Sequence, residues 1–305
     1  SMEPFKVHIL GCGSAMPTTK HYPSSQVVEL RDKVFMIDCG EGAQMQLRAS
    51  RIRFTKVSAL FISHLHGDHC FGIMGLISTF GMLGRTAPFH VYAPADFEPV
   101  LNSLMQMFCA GLGYDVVFHP VDTTQKAIVY EDRSLTVETI PLNHRVPCCG
   151  YLFREKQGNR HIRRDMIDFY GIPLSQLNNI RAGATWVTAD GEEIANDRLT
   201  LPADPARSYA YCSDTCYMPQ LHTMLSGVDL LYHESTYDAS SVERARIYYH
   251  STAAQAAQVA RDARVKRLVL GHFSARYDDE SLLLDEAKTI FPDTILAHEG
   301  LIINV

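Results

Sequence analysis

Short apolar runs, rich in β-branched and aromatic residues, recur along the chain, and polar residues follow each of them. The runs are four to seven residues long, which suits a strand and is too short for a helix. They span residues 57–63, 135–140, 208–212, 228–232 and 267–270. The polar residues that come after them are His64, His144, Asp214, His233 with Glu234, and His272. We therefore predict an α/β fold whose functional site lies along one edge of a sheet.

Two segments between the predicted strands have the features of helices. Thr252 and Gln255 have the spacing of a capping box, and they open an alanine-rich run that extends to about Arg264. In residues 281–290 apolar side chains recur at helical spacing, and Pro292 stops the helix from continuing. Strands mixed with helices favour a layered α/β domain.

One segment, residues 155–201, departs from this pattern. It has few long apolar runs, and it contains turn signals such as Gly171-Ile172-Pro173 and Asp190-Gly191. Between residues 154 and 181 it carries six basic and three acidic side chains, a local charge of +3. We predict that residues 155–200 form an insertion that protrudes as a flexible arm. A solvated surface loop of the same composition is the alternative.

The overall composition is that of an ordinary globular protein, with 46% hydrophobic and 20% charged residues in a chain of 305. The net charge of −6 argues against a wholly basic surface, although a local basic cluster can still bind nucleic acid. The most apolar stretch, residues 70–83, is shorter than the roughly 20 residues of a membrane span, so it predicts a buried helix. We expect a cytoplasmic protein with no membrane segment. Its eight cysteines, none in CxxC spacing, are expected to be reduced thiols.

The strongest chemical signal follows the first predicted strand directly. His64, His66, Asp68 and His69 place four potential metal ligands within six residues. Imidazole and carboxylate are ligands that suit zinc and its neighbours. A tight loop after a strand can direct His64 and His66 to one metal ion, and Asp68 and His69 to a second. A buried histidine cluster with no such role would leave polar groups without partners.

This motif is similar to the signature of the metallo-β-lactamase superfamily, and the resemblance extends over nearly the whole chain. Residues 35–42 resemble the superfamily's strand that ends in an aspartate, here Asp38. Three later elements also match the pattern, at His144, Asp214 and His272. The resemblance implies a single domain over residues 1–305, a four-layer αββα sandwich with the metals at its sheet edge.

The resemblance also implies how the ligands divide between two divalent metal ions, with zinc as the first expectation. One ion is held by His64, His66 and His144, the other by Asp68, His69 and His272, with Asp214 bridging them and Asp38 supporting the site. Two such cations can share a hydroxide that attacks the substrate. Asp68 is expected to orient that nucleophile or to take its proton.

Further motifs resemble ribonuclease Z, the endonuclease that trims the 3′ ends of precursor tRNA. Residues 232–236 (YHEST) and 249–252 (YHST) are similar to that family's paired HEAT and HST motifs. Residues 271–277 (GHFSARY) match its closing motif, and residues 11–18 (GCGSAMPT) resemble its glycine-rich loop.

Cleavage that leaves a 3′-hydroxyl expels an alkoxide, which leaves poorly without a proton. A histidine held by a carboxylate is a suitable proton donor, because the carboxylate orients the ring and stabilises its charged form. We assign this role to His250, supported by Glu234. A His–Glu pair that only joins two loops is the structural alternative. Arg276 is expected either to hold a phosphate oxygen or to form a surface ion pair.

The resemblance gives the predicted arm a use, since the arm of ribonuclease Z grips the elbow of tRNA. Arg160, Arg163 and Arg164 are then the expected substrate contacts on the arm. Contacts of this kind depend on shape and phosphate charge rather than on base identity. The family usually works as a homodimer, in which one subunit's arm presents tRNA to the other's metals.

The leading hypothesis is therefore a metal-dependent endoribonuclease that removes the 3′ trailer of precursor tRNA. The first alternative is a small-molecule phosphodiesterase or arylsulfatase of the same fold, which has no evident use for a basic arm. The second is an inactive RNA-binding module, and the complete ligand set argues against it.

Overall fold

The predicted strands form in the computed structural model, which describes residues 2–305. The strands, in chain order, are β1 (Phe5–Gly11), β2 (Ser25–Leu30), β3 (Lys33–Cys39), β4 (Val57–Phe61), β5 (Phe89–Ala93), β6 (Val116–Pro120), β7 (Ile128–Glu131), β8 (Leu135–Pro141), β9 (Cys149–Glu155), β10 (His161–Ile162), β11 (Trp186–Val187), β12 (Glu193–Ile194), β13 (Thr200–Leu201), β14 (Ser208–Cys212), β15 (Leu230–Glu234), β16 (Arg267–Gly271), β17 (Thr294–Leu296) and β18 (Ile302–Asn304). The α-helices are α1 (Ala43–Ala49), α2 (Gly67–Cys70), α3 (Ile73–Met82), α4 (Phe97–Phe108), α5 (Arg164–Tyr170), α6 (Leu177–Arg181), α7 (Asn196–Leu199), α8 (Leu221–Met224), α9 (Val242–Ile247), α10 (Ala253–Ala263) and α11 (Ser281–Lys288). Short 3₁₀ turns cover Phe54–Lys56, Leu174–Gln176 and Ala239–Ser241.

Fourteen of the strands belong to two seven-stranded sheets. The first has the order β18-β1-β2-β3-β4-β5-β6, antiparallel from β18 to β3 and parallel from β3 to β6. The second has the order β17-β16-β15-β14-β9-β8-β7, parallel from β17 to β14 and antiparallel from β14 to β7. The parallel strands of each sheet direct their carboxyl ends to one edge.

The two sheets pack face to face through aromatic side chains, and helices cover their outer faces. Phe35 of β3 lies 5.8 Å from Phe153 of β9, and Phe61 of β4 lies 5.2 Å from Tyr151, measured between ring centroids. Helices α1, α3 and α4 bury apolar residues against the first sheet, and α10 and α11 do so against the second. The predicted αββα sandwich is confirmed.

The predicted helices also form. The Thr252 hydroxyl accepts a hydrogen bond from the backbone of Gln255, whose side chain accepts one from the backbone of Thr252, so the capping box begins α10 as predicted. Within the apolar stretch 70–83, residues 73–82 form α3, which buries one face and leaves Met82 76% exposed at its end, whereas Cys70 belongs to α2. All eight cysteines are free thiols, and within residues 2–305 no helix has the length and apolar character needed to span a membrane.

The inserted segment folds around a small core of its own. Strands β10–β13 and helices α5–α7 lie between β9 and β14. Their buried residues form a cluster separate from both cores of the sandwich: Ile167, Ile172, Leu177, Ile180, Ile194 and Leu199. A merely solvated loop does not bury such a cluster, so the insertion is a compact module.

The insertion joins the body at Glu155 and Ser208, at the ends of β9 and β14 that lie away from the predicted metal edge. Strand β9 begins at Cys149, whose N–H donates to the carbonyl of Ser63, next to His64. Strand β9 is seven residues long, so its metal-edge end at Cys149 and its arm end at Glu155 are about 20 Å apart.

Candidate metal centre

The seven residues predicted as metal ligands meet where the two sheets present their strand ends. His64 and the following motif come after β4 of the first sheet. The others follow strands of the second sheet: His144 after β8, Asp214 after β14 and His272 after β16. Neighbouring strands bring residues together here that are far apart in the chain.

One group consists of His64, His66, His144 and Asp214. The Oδ2 atom of Asp214 lies 3.5 Å from Nε2 of His64 and 3.5 Å from Nε2 of His144. His66 closes the group, with its Nδ1 atom 3.3 Å from Nε2 of His144. The candidate ligand atoms of this group all lie within 4.8 Å of one another.

A second group consists of Asp68, His69, Asp214 and His272. The Oδ1 atom of Asp214 lies 3.2 Å from Nε2 of His69 and 3.2 Å from Nε2 of His272. The Oδ2 atom of Asp68 lies 3.3 Å from Nε2 of His69. Asp214 therefore presents one oxygen to each group, which is the arrangement expected of a bridging ligand.

The chemistry of these atoms fits metal ions. Five of the inward-facing atoms are buried without a hydrogen-bond partner: Nε2 of His64, His69 and His272, Oδ2 of Asp68 and Oδ1 of Asp214. Leaving such an atom unsatisfied costs about 1–3 kcal/mol each. Cations between them would satisfy all five at once, and nitrogen and oxygen ligands suit zinc and its neighbours.

Hydrogen bonds at the outer ring nitrogens hold the imidazoles in this orientation. Nδ1 of His69 donates to Oδ2 of Asp38 over 2.6 Å, and Nδ1 of His144 donates to the carbonyl of Tyr249 over 2.9 Å. Nδ1 of His272 lies 2.9 Å from the Thr236 hydroxyl. Each bond leaves Nε2 of the same ring directed towards the centre.

Asp38 is the supporting carboxylate that the sequence predicted, and it has a partner that the sequence did not reveal. It is fully buried in the left-handed region, with φ 56°, and it accepts from the N–H and the hydroxyl of Ser63 as well as from His69. The Tyr211 hydroxyl donates to the same carboxylate over 2.6 Å. Tyr211 sits in the apolar run of β14, and nothing in that run distinguishes it from a core tyrosine.

Glu234 and His250 lie beside the second ligand group. Oε2 of Glu234 lies 2.7 Å from Nδ1 of His250, and the carboxylate also accepts from the backbone N–H groups of Thr215 and Ser251. Burial raises the pKa of Glu234, but the charge and hydrogen bond of His250 outweigh it and lower the pKa. Burial lowers the pKa of His250, but Glu234 outweighs it and raises the pKa to about 9.

A cleft of about 660 Å³ opens over both ligand groups. Its walls include Ser14–Pro17 of the glycine-rich loop, Phe71 beside the metal motif, and His250. Arg145 is exposed on the same wall and was not singled out from the sequence, although it directly follows the predicted ligand His144.

The predicted phosphate-binding arginines lie outside this cleft. Arg276 is exposed at its rim, where its guanidinium donates to the Ser241 hydroxyl and lies 5.9 Å from the ring of Tyr237, a cleft residue. On the arm, Arg160 pairs with Asp197, Arg163 pairs with Asp165, and Arg164 is exposed. The three arm residues belong to the module that joins the body on the side away from the metal groups.

The two stacked sheets and the histidine and aspartate groups at their edge define a metallo-β-lactamase fold protein. The short form of human tRNase Z shares this fold, with a TM-score of 0.70 and 24% identity over 98% of each chain. The metallo-β-lactamase fold protein YhfI from Bacillus subtilis matches with a TM-score of 0.68 and 20% identity, covering 99% of this chain and 100% of that one.

Sequence comparison identifies the family. Ribonuclease Z of Bacteroides fragilis is 61% identical over 304 residues, and the match covers 100% of both chains. Ribonuclease Z of Bacteroides thetaiotaomicron is 58% identical, and the match covers 100% of this chain and 96% of that one. The chain belongs to the ribonuclease Z family. The family model described as Anti-Pycsar protein Apyc1 matches residues 5–159, which contain the metal motif and His144 but neither Asp214 nor His272.

Proposed function

We propose that this chain is a metal-dependent endoribonuclease that cuts precursor tRNA at its 3′ end, removes the trailer and leaves a 3′-hydroxyl. The observation that carries the proposal is the Glu234–His250 pair beside the two ligand groups, in a chain that is 61% identical to a ribonuclease Z along its whole length. We also propose that it acts in the cytoplasm.

The residues that would hold two divalent ions are those of the two groups described above, with zinc favoured by the nitrogen and oxygen donors. Such ions neutralise charge on the scissile phosphate and lower the pKa of bound water towards about 7. The carboxylate of Asp68 lines the cleft, where it can orient the attacking water and accept its proton.

His250 supplies a proton to the oxygen that leaves. Its Nδ1 atom is held by Glu234, so Nε2 is the nitrogen free to donate to a substrate in the cleft. Without this proton the leaving group is an alkoxide, whereas a phenolate leaves without help. The pair therefore suits cleavage of a ribose 3′-oxygen bond better than cleavage of an activated ester.

Two arginines beside the site are suited to hold the phosphate backbone. Arg145 lines the cleft next to His144, and Arg276 lies at its rim against Tyr237. Guanidinium groups bind phosphate oxygens through paired hydrogen bonds. Both are proposed to contact phosphates of the RNA strand next to the cut.

We further propose that residues 1–305 form one domain from which residues 155–200 project as a tRNA-binding arm. Its attachment, about 20 Å along β9 from the metal edge, favours contacts far from the cut. Arg164 is the freest of the three predicted arm arginines, since Arg160 and Arg163 each pair with an aspartate.

A homodimer is the assembly that makes use of this geometry. An arm that leaves the body away from its own metals can serve the metals of a second copy. Exposed apolar side chains at the ends of α3 and α4 are a candidate contact surface: Met82, Leu83, Met107 and Phe108. Clusters of this kind are common at interfaces between copies of a chain.

The test is to incubate the protein with precursor tRNA and with bis-p-nitrophenyl phosphate, and to map the RNA cut by sequencing. Cleavage after the acceptor stem, with a 3′-hydroxyl on the tRNA, is the expected result. Hydrolysis of the aryl ester alone would favour the small-molecule phosphodiesterase or arylsulfatase. Binding of tRNA without cleavage of either substrate would overturn the enzymatic proposal.

A further inference from the structure

Phe71 is an exposed aromatic residue at the edge of the metal centre. It follows α2 directly, two residues after His69, and its side chain is 74% exposed. Its N–H donates to the carbonyl of Gly67 over 2.9 Å, so its backbone is fixed to the end of α2, the helix that carries Asp68 and His69. A large apolar side chain in this position forgoes the free energy of burial, which is about 1.5–3 kcal/mol for a phenylalanine.

The ring of Phe71 lies against the backbone of Gly67, the first residue of α2. A Cβ atom placed on Gly67 would lie 2.1 Å from Cε2 and 2.2 Å from Cζ of Phe71, so only glycine allows the ring to rest here. Gly67 lies between His66 and Asp68, one from each ligand group. One side of the ring therefore contacts Gly67, and the other is open to solvent.

A second exposed apolar side chain borders the same cleft. Met16, in the glycine-rich loop, is 67% exposed and lines the cleft together with Phe71. Exposed apolar groups that border a polar site mark a surface for ligand binding. Nucleobases stack on aromatic side chains, with about 1–3 kcal/mol per base, and the stacking tolerates any base.

The position of His250 indicates which nucleotide reaches Phe71. The leaving 3′-oxygen must face His250, whose ring packs 5.3 Å from that of His144 and 5.4 Å from that of His272. Phe71 lies instead on the segment that carries His66 and Asp68. The nucleotide that bears the leaving oxygen must lie towards His250, so the candidate for Phe71 is the other nucleotide joined to the scissile phosphate, the first of the trailer.

We infer that Phe71 stacks on the base of the first trailer nucleotide, and so sets the position of the strand that leaves the tRNA. This inference rests on the proposed function. Because stacking is independent of base identity, Phe71 would allow trailers of any sequence to be removed. It also requires a base to be present directly after the cut.

The experiment measures kcat/KM for Phe71→Leu and Phe71→Trp on three precursor tRNAs. One is unmodified, one is abasic at the first trailer nucleotide, and one is abasic at the last nucleotide before the cut. Phe71→Leu is expected to lower kcat/KM about tenfold on the unmodified precursor, as the loss of one stacked base predicts. It should cause no further loss on the trailer-abasic precursor, and Phe71→Trp should keep the parent rate.

Two controls make the outcome specific. Bound zinc, measured by mass spectrometry, should be unchanged in both variants, since metal binding does not depend on a base. Leu282→Ala, an exposed apolar residue of α11 outside the cleft, should leave kcat/KM unchanged. If the parent protein does not cut precursor tRNA, the proposed function itself fails.

Two results would overturn the inference while leaving the proposed function intact. The first is an equal loss for Phe71→Leu on the unmodified and the trailer-abasic precursors. The second is a loss of kcat/KM by Phe71→Leu that disappears only when the last nucleotide before the cut is abasic. That result would mean that Phe71 stacks on a base of the tRNA and not of the trailer.

Discussion

The carboxylate of Glu234 and the imidazole of His250 meet across sixteen residues of sequence, with Oε2 2.7 Å from Nδ1. Glu234 is fully buried at the end of β15, and backbone N–H groups of Thr215 and Ser251 bond to the same carboxylate. Two loops are thereby joined at one buried charge. The ring of His250 is fixed at the cleft wall as a consequence.

Removing His250 should therefore separate two kinds of substrate. His250→Ala is expected to lower turnover on precursor tRNA by about 10²–10⁴-fold, the usual effect of losing a general acid. Hydrolysis of bis-p-nitrophenyl phosphate should fall much less, because its leaving group needs no proton. His222→Ala, an exposed histidine of α8, serves as the matched control. Equal losses on both substrates would show that His250 acts in folding or binding.

Loss of a bridging or terminal metal ligand should affect every substrate. Asp214→Ala and His66→Ala are each expected to abolish cleavage of RNA and of the aryl ester, and to reduce bound zinc measured by mass spectrometry. A strong chelator should have the same effect, with activity restored by zinc or manganese. His298→Ala, which changes an exposed histidine outside the site, should bind metal like the parent. Full activity in metal-free protein would contradict the mechanism.

Tyr211 should act on the metals through Asp38. Tyr211→Phe removes a 2.6 Å hydrogen bond to that carboxylate and keeps the ring that packs against Tyr232. Loss of a hydrogen bond to a group that orients a metal ligand typically lowers metal affinity about 10–100-fold. We expect a loss of about tenfold here, because Ser63 and His69 still bond to Asp38. A competition titration with a chromophoric zinc chelator measures the change. An unaltered zinc affinity would mean that the hydroxyl only fills the core.

The arm should be separable from the chemistry. Replacement of residues 158–203 by a short Gly/Ser linker removes the arm core and keeps Glu155, which bonds to Arg207 and Arg31 at the base. Precursor tRNA processing should fall severely, whereas hydrolysis of bis-p-nitrophenyl phosphate should persist. A melting curve must show that the shortened protein is folded. Processing of precursor tRNA at the parent rate would exclude the arm as a tRNA-binding site.

His21 should make part of the stability dependent on pH. Burial lowers its pKa, but hydrogen bonds to Glu280 and Glu299 outweigh burial and raise the pKa from 6.5 to about 9. The imidazolium therefore stabilises the fold fully below pH 6.5, and this contribution disappears as the pH rises through 9. The other groups that face it are Lys20, which pairs with Glu280, and Cys12, whose thiol stays protonated because burial raises its pKa.

The measurement is urea unfolding of the parent protein and of His21→Gln at pH 6 and at pH 9.5. The difference in unfolding free energy is expected to be about 1–3 kcal/mol at pH 6, as for hydrogen bonds to a charged group, and clearly smaller at pH 9.5. Titrations elsewhere are common to both proteins and cancel in the difference. A difference that does not change with pH would show that His21 is neutral in the folded protein.

The features that the sequence could reveal are those encoded within a few neighbouring residues. Thr252 and Gln255 lie within one helical turn, so the start of α10 was predictable from their spacing alone. The four candidate ligands His64, His66, Asp68 and His69 lie within six residues of sequence, so a metal site was evident before any fold was known. The apolar runs marked the strands because their pattern needs no partner from elsewhere in the chain.

Tertiary structure decided what depends on partners distant in sequence. The hydroxyl of Tyr211 meets Asp38 across 173 residues, and in its own strand it resembles any buried tyrosine. The arm core assembles from single apolar residues in short elements, such as Ile167 and Leu199, so no window of sequence showed it. Phe71 is 74% exposed, although its local sequence is as apolar as that of the buried helix that follows. Side-chain periodicity records only which face of an element is apolar, whereas the neighbour that covers a face, or leaves it open, is set when distant segments pack together.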